Sequence, residues 1–327
     1  MKFACCIALL FACASPCFAD QSVGVTSLGV AATDNGRPLT LSIWYPAEGG
    51  TAEKVGGNAV FLGVSAGRDA PIGDGRFPLA LVSHGGLRSA TDSGAWLSGA
   101  LAQAGYIAVE VNSPRPGSAK EAVNEIWQRP NDMTRALNTI LSNSNWAGSI
   151  DPTRVSIVGF ALGGTAALAL AGGAFEPAPF LQSCNTALGP DCDWYKAQNV
   201  SLDTVDQQQL AMLRQDPRIT SVAAIDPEYV DVFADRLASV NTPTLIVSLG
   251  DEDKLGQEDL SPNLGKSAIP GANMFDGFAT CTAAGPAILS NDGGNPDLCG
   301  SSAEARERVH RTIAGQIISF LNDEKQQ

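Results

Sequence analysis

The segment Val155–Gly164, VSIVGFALGG, constrains this chain more than any other. Its first half is a run of β-branched and apolar residues, which suits a strand buried on both faces. Gly159, Ala161, Gly163 and Gly164 then crowd small residues around one position, and Gly163–Ala171 continues as a small, apolar, helix-forming run. A strand that turns sharply into a helix is the junction found at the carboxyl edge of a parallel α/β sheet. At its apex stands Ala161, which offers a methyl group and nothing more.

The flanking sequence repeats the same alternation. Val23–Ala31 and Leu39–Tyr45 read as a β-hairpin, and the glycine-rich stretch Gly49–Asp74 reads as a surface excursion. The uninterrupted apolar run Phe77–Ser83 predicts a buried strand leading into His84-Gly85-Gly86. There follow a helix over Asp92–Ala104, a strand over Ile107–Val111, a helix over Asp132–Ser142 and the strand that ends at the small-residue turn. After that turn come Ile219–Ile225 as a strand, a helix near Val230–Ser239 and a strand over Thr244–Ser248. The last element is an amphipathic helix, Ser302–Leu321, with Val309, Ile313, Ile317 and Phe320 on its apolar face. This order specifies a doubly wound, mostly parallel α/β sheet with right-handed crossovers. Residues 175–217 form an insertion where a lid would cover the carboxyl ends of the strands, which is where such sheets bind ligands.

The 327 residues carry a formal charge of −13, so no basic surface suggests a nucleic-acid partner. Residues 1–19 combine Lys2, an apolar run from Phe3 to Cys13 and small residues before Asp20, the pattern of an export signal too short to span a membrane. Lipid anchoring at Cys13 would have to accommodate Phe11, so a secreted or periplasmic chain without an anchor is expected, and residues 20–327 read as one domain. Without the signal, four cysteines remain, and an even number in an exported protein predicts the disulfides Cys184–Cys192 and Cys281–Cys299, the latter closing a loop over 281–299. The spacings do not suit zinc, and neither a metal nor another cofactor is expected.

Pro78–Gly86, Asp151–Gly173 and the tail from Cys281 together resemble the secreted bacterial α/β-hydrolases described as dienelactone-hydrolase-like or platelet-activating-factor-acetylhydrolase-like. The stretch DPTRVSIVGFALGGTAALALAGG is the most specific part of the resemblance, which covers most of the mature chain. It implies an α/β-hydrolase fold with its lid insertion after the elbow helix, and acyl transfer by a nucleophile, a histidine, an acid and backbone oxyanion donors.

Set against that pattern, the site is incomplete. Ala161 occupies the place where relatives have the nucleophilic serine. Thr165 lies one helical turn on and reads as a packing residue, and Ser156 lies inside the strand. The chain has two histidines. His84 precedes the elbow, in an oxyanion-loop context, and His310 reads as a surface residue of the last helix. Relatives place the catalytic histidine shortly before a Cys-Thr pair. In this chain Met274 stands at about that place, or the segment is shortened, and the base is absent in either register. The resemblance puts the acid at Asp253, with Asp226 at the position used by acetylhydrolase-like members, although Asp226 also reads as a cap for the helix after Pro227. Backbone N–H groups of Leu162 and of Gly86 or Leu87 would form the oxyanion hole, which can outlast the loss of side chains.

A single Ser→Ala change accounts for Ala161 and leaves the missing histidine unexplained. The expectation is therefore an exported hydrolase homologue without catalysis, a pseudoenzyme that binds a small ester, acid or lipid-like ligand, or a protein partner. Two alternatives stand beside it. One is a carboxylic-ester hydrolase in which Asp226 or Asp253 activates a water. The other is an interaction protein whose pocket is filled by lid side chains such as Phe180 or Trp194.

Overall fold

The computed structural model describes residues 22–34, 36–87, 89–173, 175–185, 191–251 and 260–323. Residues 1–19, where an export signal is expected, and Asp253 lie outside the described residues.

Ten strands form one sheet: β1 (Ser22–Val30), β2 (Leu39–Ala47), β3 (Ala52–Val55), β4 (Val64–Arg68), β5 (Phe77–Ser83), β6 (Ile107–Asn112), β7 (Ile150–Phe160), β8 (Ser221–Ile225), β9 (Thr244–Leu249) and β10 (Leu264–Ile269). Their spatial order is β10-β9-β8-β7-β5-β6-β2-β1-β4-β3. From β6 to β10 every pairing is parallel, and β2 joins this block antiparallel to β6. The helices are α1 (Ala95–Gln103), α2 (Ala119–Ala122), α3 (Glu125–Ser142), α4 (Leu162–Leu170), α5 (Pro177–Gln182), α6 (Cys192–Ala197), α7 (Gln207–Ala211), α8 (Gly285–Asn291) and α9 (Ala303–Asp323). This is the doubly wound, mostly parallel α/β arrangement expected from the strand–helix alternation, and the α/β-hydrolase fold that the resemblance implied.

The unbroken apolar runs are explained by helices on both faces of the sheet. Successive side chains of a strand alternate sides. Leu79 and Leu81 of β5 and Ile157 of β7 thus meet Met133 and Leu137 of α3 and Leu168 of α4. Ala80, Val82, Val158 and Phe160 turn the other way, onto Leu97 and Leu101 of α1 and Ile313 and Ile317 of α9.

Five details differ from the sequence reading. Gly49–Asp74 is a hairpin, β3 with β4, that extends the sheet through a short parallel contact to β1, and its glycines hide that pairing from a pattern of alternation. Helix α3 begins at Glu125 and not at Asp132, with Pro130 inside it. The proline removes one backbone bond. Buried ion pairs from Arg129 to Glu125 at 3.1 Å and from Arg37 to Asp132 at 2.8 Å hold the turns on either side. Strand β10 is an edge strand with mostly half-exposed or exposed side chains, so it lacks an apolar signal. Val230–Ser239 winds as a 3-10 helix.

The fifth difference concerns α9, whose buried face is Arg306, His310, Ile313, Ala314, Ile317 and Leu321, with Val309 and Phe320 at its flanks. Two polar residues belong to the buried stripe because their ends reach carbonyl oxygens. Arg306 donates to Ala279 and Leu298, and His310 lies 3.0 Å from the oxygen of Phe278. His310 is therefore a core residue, contrary to the surface position expected for it.

The insertion over 175–217 carries α5, α6 and α7, and its Phe180 packs edge-on against Tyr229 at 5.4 Å. The disulfides Cys184–Cys192 and Cys281–Cys299 are both formed.

Candidate active site

Strand β7 delivers Ala161 to the carboxyl edge of the sheet with φ 55° and ψ −123°. A side-chain-bearing residue in this region costs roughly 1–3 kcal/mol and is held there by its surroundings. Ala161 N–H donates to Ile225 at 3.0 Å, and Ala161 carbonyl oxygen accepts from Gly164 at 2.9 Å and Glu228 at 3.3 Å. Glycine is required on both sides of the turn. A methyl on Gly159 would stand 2.1 Å from the carbonyl oxygen of Gly163, and one on Gly163 would stand 2.0 Å from that of Ser83. The tight strand–turn–helix backbone expected here is thus complete, with alanine at its apex.

Neither of the two hydroxyls weighed from the sequence can take a nucleophile's part. Thr165 donates its hydroxyl to the carbonyl of Glu228, and Ser156 pairs with Ser221 between β7 and β8 at 2.8 Å.

The loop after β5 docks onto the elbow through Gly85, whose N–H donates to Phe160 at 3.1 Å. Arg129 donates to the carbonyls of Gly85 at 2.7 Å and Gly86 at 2.8 Å. In a planar trans peptide the following N–H points opposite to the carbonyl, so the donors of Gly86 and Leu87 face away from Arg129. Leu162 begins α4, where the first N–H groups lack intrahelical acceptors. Glu228 lies against the same loop, its Oε1 3.4 Å from where a Gly86 methyl would stand. Arg129 and Glu228 were missed by sequence reasoning, because each acts on backbone that lies far away in the chain.

The two histidines are spent on structure. His84 is buried, packs against Phe160 with ring centroids 4.9 Å apart and planes tilted by 38°, and lies with Nε2 2.8 Å from the Gly277 oxygen. Burial, aided by Arg129, pulls its pKa down to about 4, against a smaller opposing effect of the Gly277 bond. His310 stacks on Trp96 with ring centroids 3.8 Å apart, and burial likewise lowers its pKa to about 4. Both are neutral near pH 7.

The segment at which the resemblance placed the base lies close by. Gly277 packs on the ring of Phe160, the residue before Ala161, so tightly that a methyl there would fall 2.2 Å from it. Met274 opens the 3-10 turn Met274–Gly277 and is 41% exposed. Asn273 and Asp276 cap that turn reciprocally, at 2.9 Å and 3.0 Å. The turn leaves a thioether facing solvent.

Asp226 is buried at the end of β8 with φ 42°. Its Oδ1 receives the Leu249 N–H at 3.5 Å, and its own N–H donates to Val247 at 2.7 Å. The carboxylate therefore spans to β9 and does not cap the following helix as one reading had it, since that 3-10 run starts after Tyr229 in a left-handed conformation. Asp253, the other acid position, lies outside the described residues.

No family model and no curated protein matches this chain. Among solved structures, the fold is similar to a ferulic acid esterase from Streptomyces cinnamoneus, with a TM-score of 0.57 and 15% sequence identity over 95% of this chain and 92% of that one. The likeness is one of fold.

Proposed function

We propose that this chain is an exported, non-catalytic member of the α/β-hydrolase fold, one domain over residues 20–327, which binds a small ester-like ligand at the elbow without cleaving it. The observation that carries the reading is the pairing of a maintained elbow, strained at Ala161, with two histidines whose Nε2 atoms both lie against backbone carbonyls. A hydrolase of this type needs a base free to take a proton from its nucleophile, and loss of a triad member removes several orders of magnitude in turnover. The two disulfides support an oxidising compartment and hence export.

The loop donors at Gly86 and Leu87 and the helix start at Leu162 favour a carbonyl oxygen. Glu228 against Gly86 places an acidic side chain beside them, which favours a neutral ester over a free carboxylate. An amide-resolved NMR titration with phenyl acetate tests both halves of the proposal. The expected result is saturable shifts of Leu162, Gly86 and Leu87 with no release of acetate above the buffer rate. Absence of shifts removes the ligand, and acetate release that tracks protein concentration removes the non-catalytic reading.

A further inference from the structure

The loop after β5 turns at Gly85, which has a left-handed φ of 85°. A methyl there would stand 1.8 Å from the Ser89 hydroxyl oxygen, so the turn requires glycine. It aims two successive carbonyls, those of Gly85 and Gly86, at one guanidinium. Arg129 Nη1 and Nη2 donate to them at 2.7 Å and 2.8 Å. Because each peptide is planar and trans, the N–H groups of Gly86 and Leu87 are then directed away from Arg129, both towards the other side of the loop. Successive N–H groups so directed form a nest for a negative or partly negative oxygen. Neither N–H donates to an acceptor among the described residues.

Arg129 is itself held from behind. Its Nε donates at 3.1 Å to Glu125, one turn earlier on α3, whose side chain is 1% exposed. Arg37, from the loop between β1 and β2, donates to both oxygens of that carboxylate, to Oε2 at 3.0 Å. All three edges of the Arg129 fork are therefore committed, one to a buried carboxylate and two to the loop. A lysine ammonium offers the charge without the planar fork, and it cannot reproduce the paired contact. A cation bound to the two carbonyls also polarises their peptide groups, which strengthens the N–H donors on the far side. Arg129, Glu125 and Leu87 line a cavity of about 550 Å³, shared with His84 and Glu110, through which a small cation can reach the place of the guanidinium.

We propose that Arg129 is the positioning residue of the ligand site: it fixes and polarises the Gly86 and Leu87 donors, so that affinity for an ester carbonyl depends on a guanidinium that does not touch the ligand. This role rests on the ester reading of the elbow. It is tested in Arg129→Lys and Arg129→Ala by amide NMR titration with phenyl acetate, beside urea midpoints that establish folding. Affinity should fall by about tenfold in Arg129→Lys. The ligand-free amides of Gly86 and Leu87 should shift in both variants, while that of Ala161, bound to Ile225, stays in place. Methylguanidinium added to Arg129→Ala should return the affinity to within about threefold, and methylammonium should not. That selectivity separates positioning from a contribution to stability alone. Unchanged affinity in folded Arg129→Lys, or equal rescue by the two cations, would overturn the assignment. If the unsubstituted chain does not bind phenyl acetate, the ester reading fails by itself. The ligand-free amides then decide the positioning role, which is overturned if Gly86 and Leu87 do not shift in Arg129→Lys. That variant keeps a charge beside Glu125 and serves even if Arg129→Ala does not fold.

Discussion

His84 Nε2 and the carbonyl oxygen of Gly277 lie 2.8 Å apart, and this bond fastens the loop after β5 to the turn Met274–Gly277. A histidine so placed has a structural duty, and its burial favours the neutral ring. His310, bound to Phe278, has the same one. Both have folded-state pKa values of about 4, below the ordinary value of 6.5. Their contribution to stability is thus fully present above pH 6.5 and is lost as pH falls towards 4, at up to about 1.4 kcal/mol per pH unit for each histidine. Urea midpoints between pH 7 and 4.5 should decline accordingly, and His310→Gln should halve that part of the slope. An acid limb unaffected by the substitution would contradict the assignment.

Glu110 acts in the opposite direction. Its folded pKa of about 8 exceeds the ordinary 4.5, so its contribution is complete below pH 4.5 and declines as pH rises through 8. The groups facing it are Asp92, the Gly94 N–H and neutral His84. Together with the histidines it places maximal stability near pH 6.5. Glu110→Gln should flatten the alkaline side of the profile, which thermal melts from pH 6.5 to 8.5 would show.

The elbow makes a geometric demand that can be tested apart from any activity. Gly163→Ala drives a methyl into the Ser83 carbonyl and should cost about 3 kcal/mol. Ala161→Gly relieves a positive φ and should stabilise by about 1 kcal/mol. Denaturant unfolding of the two variants should therefore move their midpoints in opposite directions.

The central sheet was legible because its signals are local. Phe77–Ser83 and Val155–Phe160 have no polar face, which leaves little choice but a strand covered on both sides, and the glycines around Ala161 mark the turn directly. What escaped depends on partners distant in sequence. The burial of His310 follows from Trp96 and Phe278, and the start of α3 before Pro130 follows from Arg37. The edge strands β3 and β10, and β4 beside β3, carry too few buried side chains to show a period. The site itself divides the same way. The alanine at the turn is written in one residue, whereas the cavity lined by both Glu110 of β6 and His84 after β5 was invisible until the sheet set them side by side.

The most direct test of the account is hydrolysis of p-nitrophenyl acetate by the purified mature protein, beside the double variant Ala161→Ser, Met274→His and a variant with Asp226→Asn. The account expects the natural protein to match buffer, with any gain confined to the double variant, whose serine and histidine supply the two groups the proposal holds to be absent, on turns already packed together at Phe160. Turnover by the natural protein that scales with its concentration and disappears in Asp226→Asn would contradict it, and would assign a carboxylate-dependent hydrolysis to this chain instead.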